Sequence, residues 1–336
     1  MNVIRTLFSF LLFLTSLLCE AGDYFRLEGA VFHTSYHIIY EGTCDYTDSI
    51  ERLFADVDNS LSMFNERSVL ARVNSNDRKV RVNEHVRNVM TNGWSVSADT
   101  DGAFDMTVGP LVNLWGFGFR KKEDVTQCMV DSVRRFVGYH SVRLDKRGRV
   151  RKKDKRTLLD ASSIAKGYAC DVVGRWLWSK GVTNYLVEIG GEIALKGVNP
   201  GGKPWTVAVN TPEEDSLSVN RHYQDVLRLT AGGVATSGNY RNFYYKDGIR
   251  YAHTIDPRTG YPASQDVLSA TVVASDCMTA DAYATAFMVL GLECSLAVLE
   301  RHPDIHAYFI LSPLPGSTAY RVVYSPSLRN FLSSSH

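Results

Sequence analysis

Tyr185-Leu186-Val187-Glu188-Ile189-Gly190-Gly191-Glu192-Ile193 is a β-branched strand running straight into a double glycine. A glycine pair admits backbone conformations and close approaches that side chains forbid, and an ordinary β-turn accounts for it equally well. Just before this stretch, residues 163–180 carry a helical pattern that Gly181 stops. After it, strand patterns follow at 205–209, 226–229 and 269–274. Helices and strands are mixed without regular βαβ alternation, which sets the class as α+β, with mixed, largely antiparallel sheets and packed helices.

Outward from that stretch the patterns continue. Residues 31–40 are rich in β-branched and aromatic side chains and read as one strand. Ile50, Leu53, Phe54, Val57 and Leu61 fall on one helical stripe. Asn83 can cap a helix carrying Val86, Val89, Met90 and Trp94. Residues 142–159 suggest a hairpin turning at 146–148, and its basic run is interrupted by Asp145 and Asp154, which favours a solvated face. A helix at 279–290 and strands at 306–311 and 320–324 complete the chain. Without a repeat or a Pro/Gly-rich linker, residues 22–336 read as a single unit.

The 336 residues carry 37 Lys and Arg against 36 Asp and Glu. A nucleic-acid binder normally shows a basic excess, so that class is excluded. Charged residues at 22% and apolar ones at 45% exclude wholesale disorder. Arg5 precedes an apolar run over residues 7–18, too short to span a bilayer and suited to a secretory leader. Cys19-Glu20-Ala21 offers small residues for cleavage before Gly22, so residues 1–21 read as a signal peptide and the protein as exported. Lipidation of Cys19, with membrane anchoring, is the alternative. Cys44, Cys128, Cys170, Cys277 and Cys294 lack CxxC spacing, which disfavours a zinc site. Cys170 and Cys277 sit in apolar stretches and read as buried.

Chemistry-bearing residues gather in five blocks. The first runs from Ala103-Phe104-Asp105-Met106-Thr107-Val108-Gly109-Pro110 to Gly118, and alone reads as a turn flanked by aromatics. The second is Leu159-Asp160-Ala161-Ser162-Ser163-Ile164-Ala165-Lys166-Gly167-Tyr168. There a helix start favours anions and Lys166 can add an ammonium, although a capped helix with a surface lysine explains it too. The third is the double-glycine stretch. The fourth joins residues 235–242 to His253-Thr254-Ile255-Asp256-Pro257-Arg258-Thr259-Gly260, dense in polar side chains suited to a polar ligand. The fifth is Ala280-Asp281-Ala282-Tyr283-Ala284-Thr285, whose Asp281 and Thr285 stand at i and i+4 on one helix face. Both oxygens can reach one hard cation, which needs further oxygen ligands for an octahedron. From sequence, Asp281 is expected on a partly exposed face.

In this order the blocks resemble the ApbE-type FAD:protein FMN transferases, from Leu61-Ser62-Met63-Phe64 to Gly291. His253-Thr254-Ile255-Asp256-Pro257 and Met278-Thr279-Ala280-Asp281-Ala282 are the specific parts. The resemblance implies a Mg2+-dependent enzyme that attaches FMN from FAD to a threonine of an acceptor flavoprotein, such as a subunit of a membrane redox complex. It implies FAD contacts at Phe64, Ala103, Phe104, Asp105, Asp160, Lys166 and Ile255, and magnesium ligation by Asp281, Thr285 and the main-chain oxygen of Ser163. It also implies a periplasmic location at the inner membrane. His253 is the candidate general base, since an imidazole accepts protons near neutral pH. Phe32-His33-Thr34 departs from the family's Met-Gly-Thr, and Ala161-Ser162 from Leu-Ser. An FAD pyrophosphatase releasing FMN and AMP, or a non-catalytic periplasmic FAD-binding protein, are the alternatives.

Overall fold

The computed structural model describes residues 23–118, 124–212, 223–239, 243–246 and 249–333. The expected leader and Tyr240, Arg241 and Asn242 lie outside the described residues. The chain begins with β1 (Tyr24–Val31), β2 (Thr34–Glu41), α1 (Thr47–Leu61), α2 (Val69–Asn74), α3 (Glu84–Asp99), α4 (Gly109–Leu114) and α5 (Gln127–Arg134). Next come β3 (Val142–Leu144), β4 (Val150–Lys152), α6 (Ala165–Ser179), β5 (Tyr185–Ile189), β6 (Glu192–Lys196), β7 (Trp205–Asn210) and β8 (Tyr223–Leu229). The remainder is β9 (Ala231–Gly238), β10 (Phe243–Lys246), β11 (Ile249–Ala252), β12 (Val267–Ala274), α7 (Cys277–Arg301), β13 (His306–Leu311) and β14 (Arg321–Tyr324).

Eight strands form one sheet in the order β1-β2-β5-β6-β9-β12-β13-β14, and each neighbouring pair is antiparallel. Both faces of its centre are covered. On β13, Ala307, Phe309 and Leu311 enter one apolar cluster while Tyr308 and Ile310 enter another, the period of two that a pleated strand imposes. The larger cluster lies under α1, α3, α6 and α7, and the smaller one under the β7–β8 hairpin, through Trp205, Val207, Val209, Leu227 and Leu229. A third, small cluster packs α4 and α5 against Ile255.

The α+β class and the antiparallel pairing agree with the sequence reading, and several boundaries do not. Residues 31–40 are not one strand: the chain reverses at Phe32 and His33, both with positive φ (50° and 62°), and Val31 pairs with Thr34. The 142–159 hairpin ends at Lys152, because residues 153–164 carry no strand partner beyond it. The helix expected at 279–290 begins at Cys277, where the Asp276 side chain caps it by accepting the Thr279 N–H at 2.9 Å. It breaks its geometry at Gly291 (φ 73°) and resumes to Arg301. Strand β9 went unseen because Ala231-Gly232-Gly233 has low strand propensity. Asn83 does cap α3, accepting the Val86 N–H at 3.1 Å.

The described cysteines are all free: Cys44, Cys128 and Cys294 are exposed, Cys170 and Cys277 buried. The Cys170 thiol on α6 meets the Glu192 carbonyl at 3.2 Å and the Cys277 thiol on α7 meets that of Val234 at 3.6 Å. Burial pushes both thiols above their ordinary range.

Candidate active site

Two helices approach closely at the site because one residue is glycine. A Cβ on Gly167 would stand 2.5 Å from the Cys277 carbonyl oxygen and 2.9 Å from the Asp281 Cβ. Without it, the first turn of α6 lies against α7, and the Gly167 N–H donates to Asp281 Oδ2 at 3.1 Å. That N–H is one of those a helix start leaves without an intrahelical partner. Asp281 is 3% exposed, so the expected partly exposed position is overturned: α6 covers its face.

Lys166, one residue earlier, reaches across to β6, where its Nζ lies 2.5 Å from Glu192 Oε1. The Lys166 side chain is 30% exposed and that of Glu192 only 7%, so the lysine covers a carboxylate that is itself almost fully buried. Burial pushes the Glu192 carboxyl up to about 7, against the pull of Lys166 and with the repulsion of Asp281. Burial raises Asp281 too, with Lys166 and the Gly167 N–H opposing. Burial works against the Lys166 charge, yet the two acids outweigh it and hold the ammonium above its usual range. Two buried carboxylates thus share one ammonium, and Glu192 Oε2 is enclosed with no hydrogen-bond partner among the described residues.

This donor set fits magnesium. Its oxygens are hard, and Thr285 follows Asp281 by one helical turn, its hydroxyl 3.2 Å from that of Ser237. Ser163 lies in the turn before α6. Among the described residues no group of three or more His, Cys, Asp and Glu side chains is arranged for a metal. The remaining ligands would therefore be main-chain, hydroxyl, water or substrate oxygens.

Beside Lys166 opens a cavity of about 180 Å³, lined in part by Phe32, His33, Met63, Phe64, Ser162 and Lys166. Of the residues expected at the nucleotide, Phe64 and Lys166 face this cavity. Asp160 adjoins it, receiving the Ser162 N–H at 2.8 Å and giving its own N–H to the Met106 carbonyl at 2.6 Å. Ala103, Phe104 and Asp105 are buried, at 2%, 1% and 5% exposure. Asp105 spends both oxygens inside the protein, on the N–H and hydroxyl of Thr107 (each 2.7 Å) and on the Tyr139 N–H (2.7 Å). Its carboxyl is raised by burial. The Ile255 side chain is buried with Leu111, Trp115 and Val130. His253 follows β11 with its ring edge-on to Phe117 at 6.4 Å. Next to it the Thr254 hydroxyl donates to Asn239 Oδ1 at 2.7 Å, tying this segment to the end of β9, which also carries Ser237.

Glu192 is the residue that sequence reading passed over. It stood inside the double-glycine stretch, but its partner is 26 positions away and only the packing of α6 on β6 joins them. Gly190 and Gly191 (φ 61° and 100°) form the tight β-turn between Ile189 and Glu192, as the simpler reading of the glycine pair held.

An antiparallel α+β scaffold here brings together a buried acid pair, a lysine fixed against one of them and a cavity lined in part by aromatic rings. The sequence profile of the ApbE family matches residues 32–309. A FAD:protein FMN transferase of Vibrio cholerae is 38% identical over 341 residues, covering 97% of this chain and 99% of the relative. One of Escherichia coli K12 is 32% identical over 320 residues, covering 92% and 89%. The structure of the Vibrio cholerae flavin transferase ApbE superposes with a TM-score of 0.82 at 35% identity, covering 92% of this chain and 99% of that one. The apo Pseudomonas stutzeri flavinyl transferase ApbE gives 0.82 at 31%, covering 94% and 98%. The chain belongs to the ApbE family.

Proposed function

We propose that this chain is an FAD:protein FMN transferase, moving FMN from FAD to a threonine hydroxyl of an acceptor flavoprotein. One observation carries the reading: Lys166, held by Glu192 beside the buried Asp281, stands at the wall of an aromatic-lined cavity. An apolar, aromatic-lined cavity beside a fixed cation suits a molecule with an aromatic ring system at one end and a pyrophosphate in its middle.

Lys166 would hold the pyrophosphate, and Glu192 keeps its ammonium in place. Asp281, Thr285 and the Ser163 carbonyl would hold Mg2+, which when bound neutralises phosphate charge and polarises the bridge to be broken. His253 takes the proton of the threonine hydroxyl, whose oxygen bonds to the FMN-side phosphorus. The bond from that phosphorus to the bridging oxygen breaks, and AMP leaves with the oxygen. Water in place of threonine would give FMN and AMP. Residues 1–21 would direct the chain to the periplasm, where acceptors at the inner membrane are subunits of membrane redox complexes.

Mass spectrometry after incubation with FAD, Mg2+ and an acceptor domain tests the reading. The acceptor should gain the mass of FMN less one water, with AMP released. An unchanged acceptor with FAD cleaved to FMN and AMP would make the protein a pyrophosphatase, and intact bound FAD would make it a carrier.

A further inference from the structure

The basic run along the β3–β4 hairpin takes no part in the site described above. Residues 143–156 hold nine Lys and Arg against two Asp, and residues 78–87 hold four against one Glu. These two short stretches therefore carry +10 in a chain whose total is +1. The fold sets them side by side. The Val82 N–H donates to the Gly148 carbonyl at 2.8 Å, and the Asn76 side-chain amide donates to the Lys155 carbonyl at 3.1 Å. Arg78, Lys79, Arg81 and Arg87 are all exposed beside the hairpin.

The acids within the run leave most of this charge unanswered. Asp145 pairs with Arg151 at 2.8 Å, and Asp154 with Arg156 at 2.7 Å. Arg143, Lys146, Arg147, Lys153 and Lys155 are exposed and form no ion pair among the described residues. Arg143 also stands directly opposite Arg151 in the β3–β4 register, and facing like charges cost stability. The large apolar side chains exposed among the described residues are Phe64, Trp178, Tyr223 and Leu314, none of them in either stretch. A membrane-binding surface adds an apolar anchor to its basic residues, so a protein with an acidic face fits this one better.

The patch also adjoins the reaction. After β4 the chain runs to Leu159, whose carbonyl and N–H are both held by the Asn74 side chain at 2.8 Å. Asp160 follows. Five residues separate Lys155 from Asp160, a reach of at most about 18 Å.

We propose that the β3–β4 hairpin and the loop leading into α3 are the docking surface for the acceptor protein, which meets them with an acidic face. The inference rests on the transferase reading above. Water needs no such surface, so the patch acts on transfer to the acceptor and not on hydrolysis of FAD. Long-range attraction speeds encounter and still permits release, which suits a substrate that must leave after modification.

The experiment compares wild type with a variant combining Arg143→Gln, Arg147→Gln, Lys153→Gln and Lys155→Gln. It measures FMN transfer to an acceptor flavoprotein domain, hydrolysis of FAD without acceptor, and the FAD dissociation constant. At about 0.01 M salt the variant's kcat/KM for the acceptor should fall at least about 10-fold, through KM. Its kcat at saturating acceptor, its hydrolysis rate and its FAD affinity should stay within about twofold of wild type. At about 1 M salt, where charges are screened within about 3 Å, the two proteins should converge. Poly-L-glutamate should compete with the acceptor in wild type and lose potency in the variant. The melting temperature should not fall, because the variant loses only exposed, unpaired charges. An unchanged kcat/KM for the acceptor overturns the proposal, as does a loss carried by hydrolysis or by FAD affinity. Normal transfer by a variant that no longer sediments with phosphatidylglycerol vesicles, when wild type does, overturns it in favour of a membrane surface. Wild-type protein that cleaves FAD and labels no acceptor fails the transferase reading itself, and the docking surface with it.

Discussion

Two hairpin tips sit side by side in the central sheet and turn through the same left-handed geometry with opposite residues. One is Gly190-Gly191, the other Phe32-His33. A Cβ on Gly190 would meet Thr34 at 2.8 Å, so the glycine tip is dictated by its neighbour. Its product is placement: the chain re-enters β6 with Glu192 aimed at Lys166. The aromatic tip presents rings to the cavity instead. The first hairpin thus builds a buried, charged wall and the second an exposed, aromatic one. Charge buried in a fixed geometry serves chemistry, and exposed apolar surface serves affinity.

The largest break in this division would come at Asp281. Asp281→Ala should lower FMN transfer at saturating FAD and Mg2+ by at least about 10³-fold, the worth of a metal-stabilised charge, whereas Phe64→Ala should weaken FAD binding and leave saturated turnover within a few-fold. Comparable losses of turnover in both variants would erase the distinction. His253 stands on neither wall. His253→Asn should cost about 10²- to 10⁴-fold in turnover with the FAD dissociation constant unchanged, as loss of a general base requires. Weakened affinity with near-normal turnover would instead make His253 a brace for the segment at Ile255.

Stability should separate the walls next. Gly167→Ala pushes a methyl into the Cys277 backbone and should destabilise the protein by about 2–3 kcal/mol in denaturant titrations. Phe64→Ala should stay within about 0.5 kcal/mol, as exposed positions do. A tolerant Gly167 would mean that α6 and α7 can slide apart without cost.

The smallest effect is a pH slope. Burial raises Glu192 from 4.5 to about 7, and raises Asp171 to about 7, aided by the nearby Asp276 and opposed by the Cys277 and Met278 N–H groups at 2.9 Å. The folded state holds these protons more tightly than the unfolded chain, so their contribution is complete at and below the unfolded values near 4 and falls as pH climbs to about 7. The ligand-free melting temperature should drop by a few degrees between pH 5 and 7.5, and Glu192→Gln should flatten the slope. A slope identical in that variant would place the proton elsewhere.

Much of this was legible in the residues, and what was not has a common cause. The Asp281–Thr285 pair, the Asn83 cap and the strand at 306–311 follow from local spacing. Burial of Asp281 did not, since it depends on Gly167 more than a hundred residues away letting α6 close over it. Glu192 was hidden for the same reason. The turn at Phe32-His33 escaped because it lacks the glycine or asparagine that marks such turns. Contacts between distant segments, and exceptions to turn chemistry, are what local pattern cannot encode.

The two buried thiols turn the helix layer into its own clock. Cys44, Cys128 and Cys294 stand in solvent, where an alkylating reagent finds them at once, while Cys170 and Cys277 lie sealed between α6, α7 and the sheet. A thiol so placed reacts only in molecules whose helices have lifted, because the thiolate is the reactive form and burial suppresses it. Labelling of the described cysteines should therefore advance by three tags immediately and by two more, together, at the frequency with which this layer opens. Saturating FAD should lengthen that second interval, reporting from one helical turn further along the same face of α6 how firmly the ligand grips the first turn that carries Lys166.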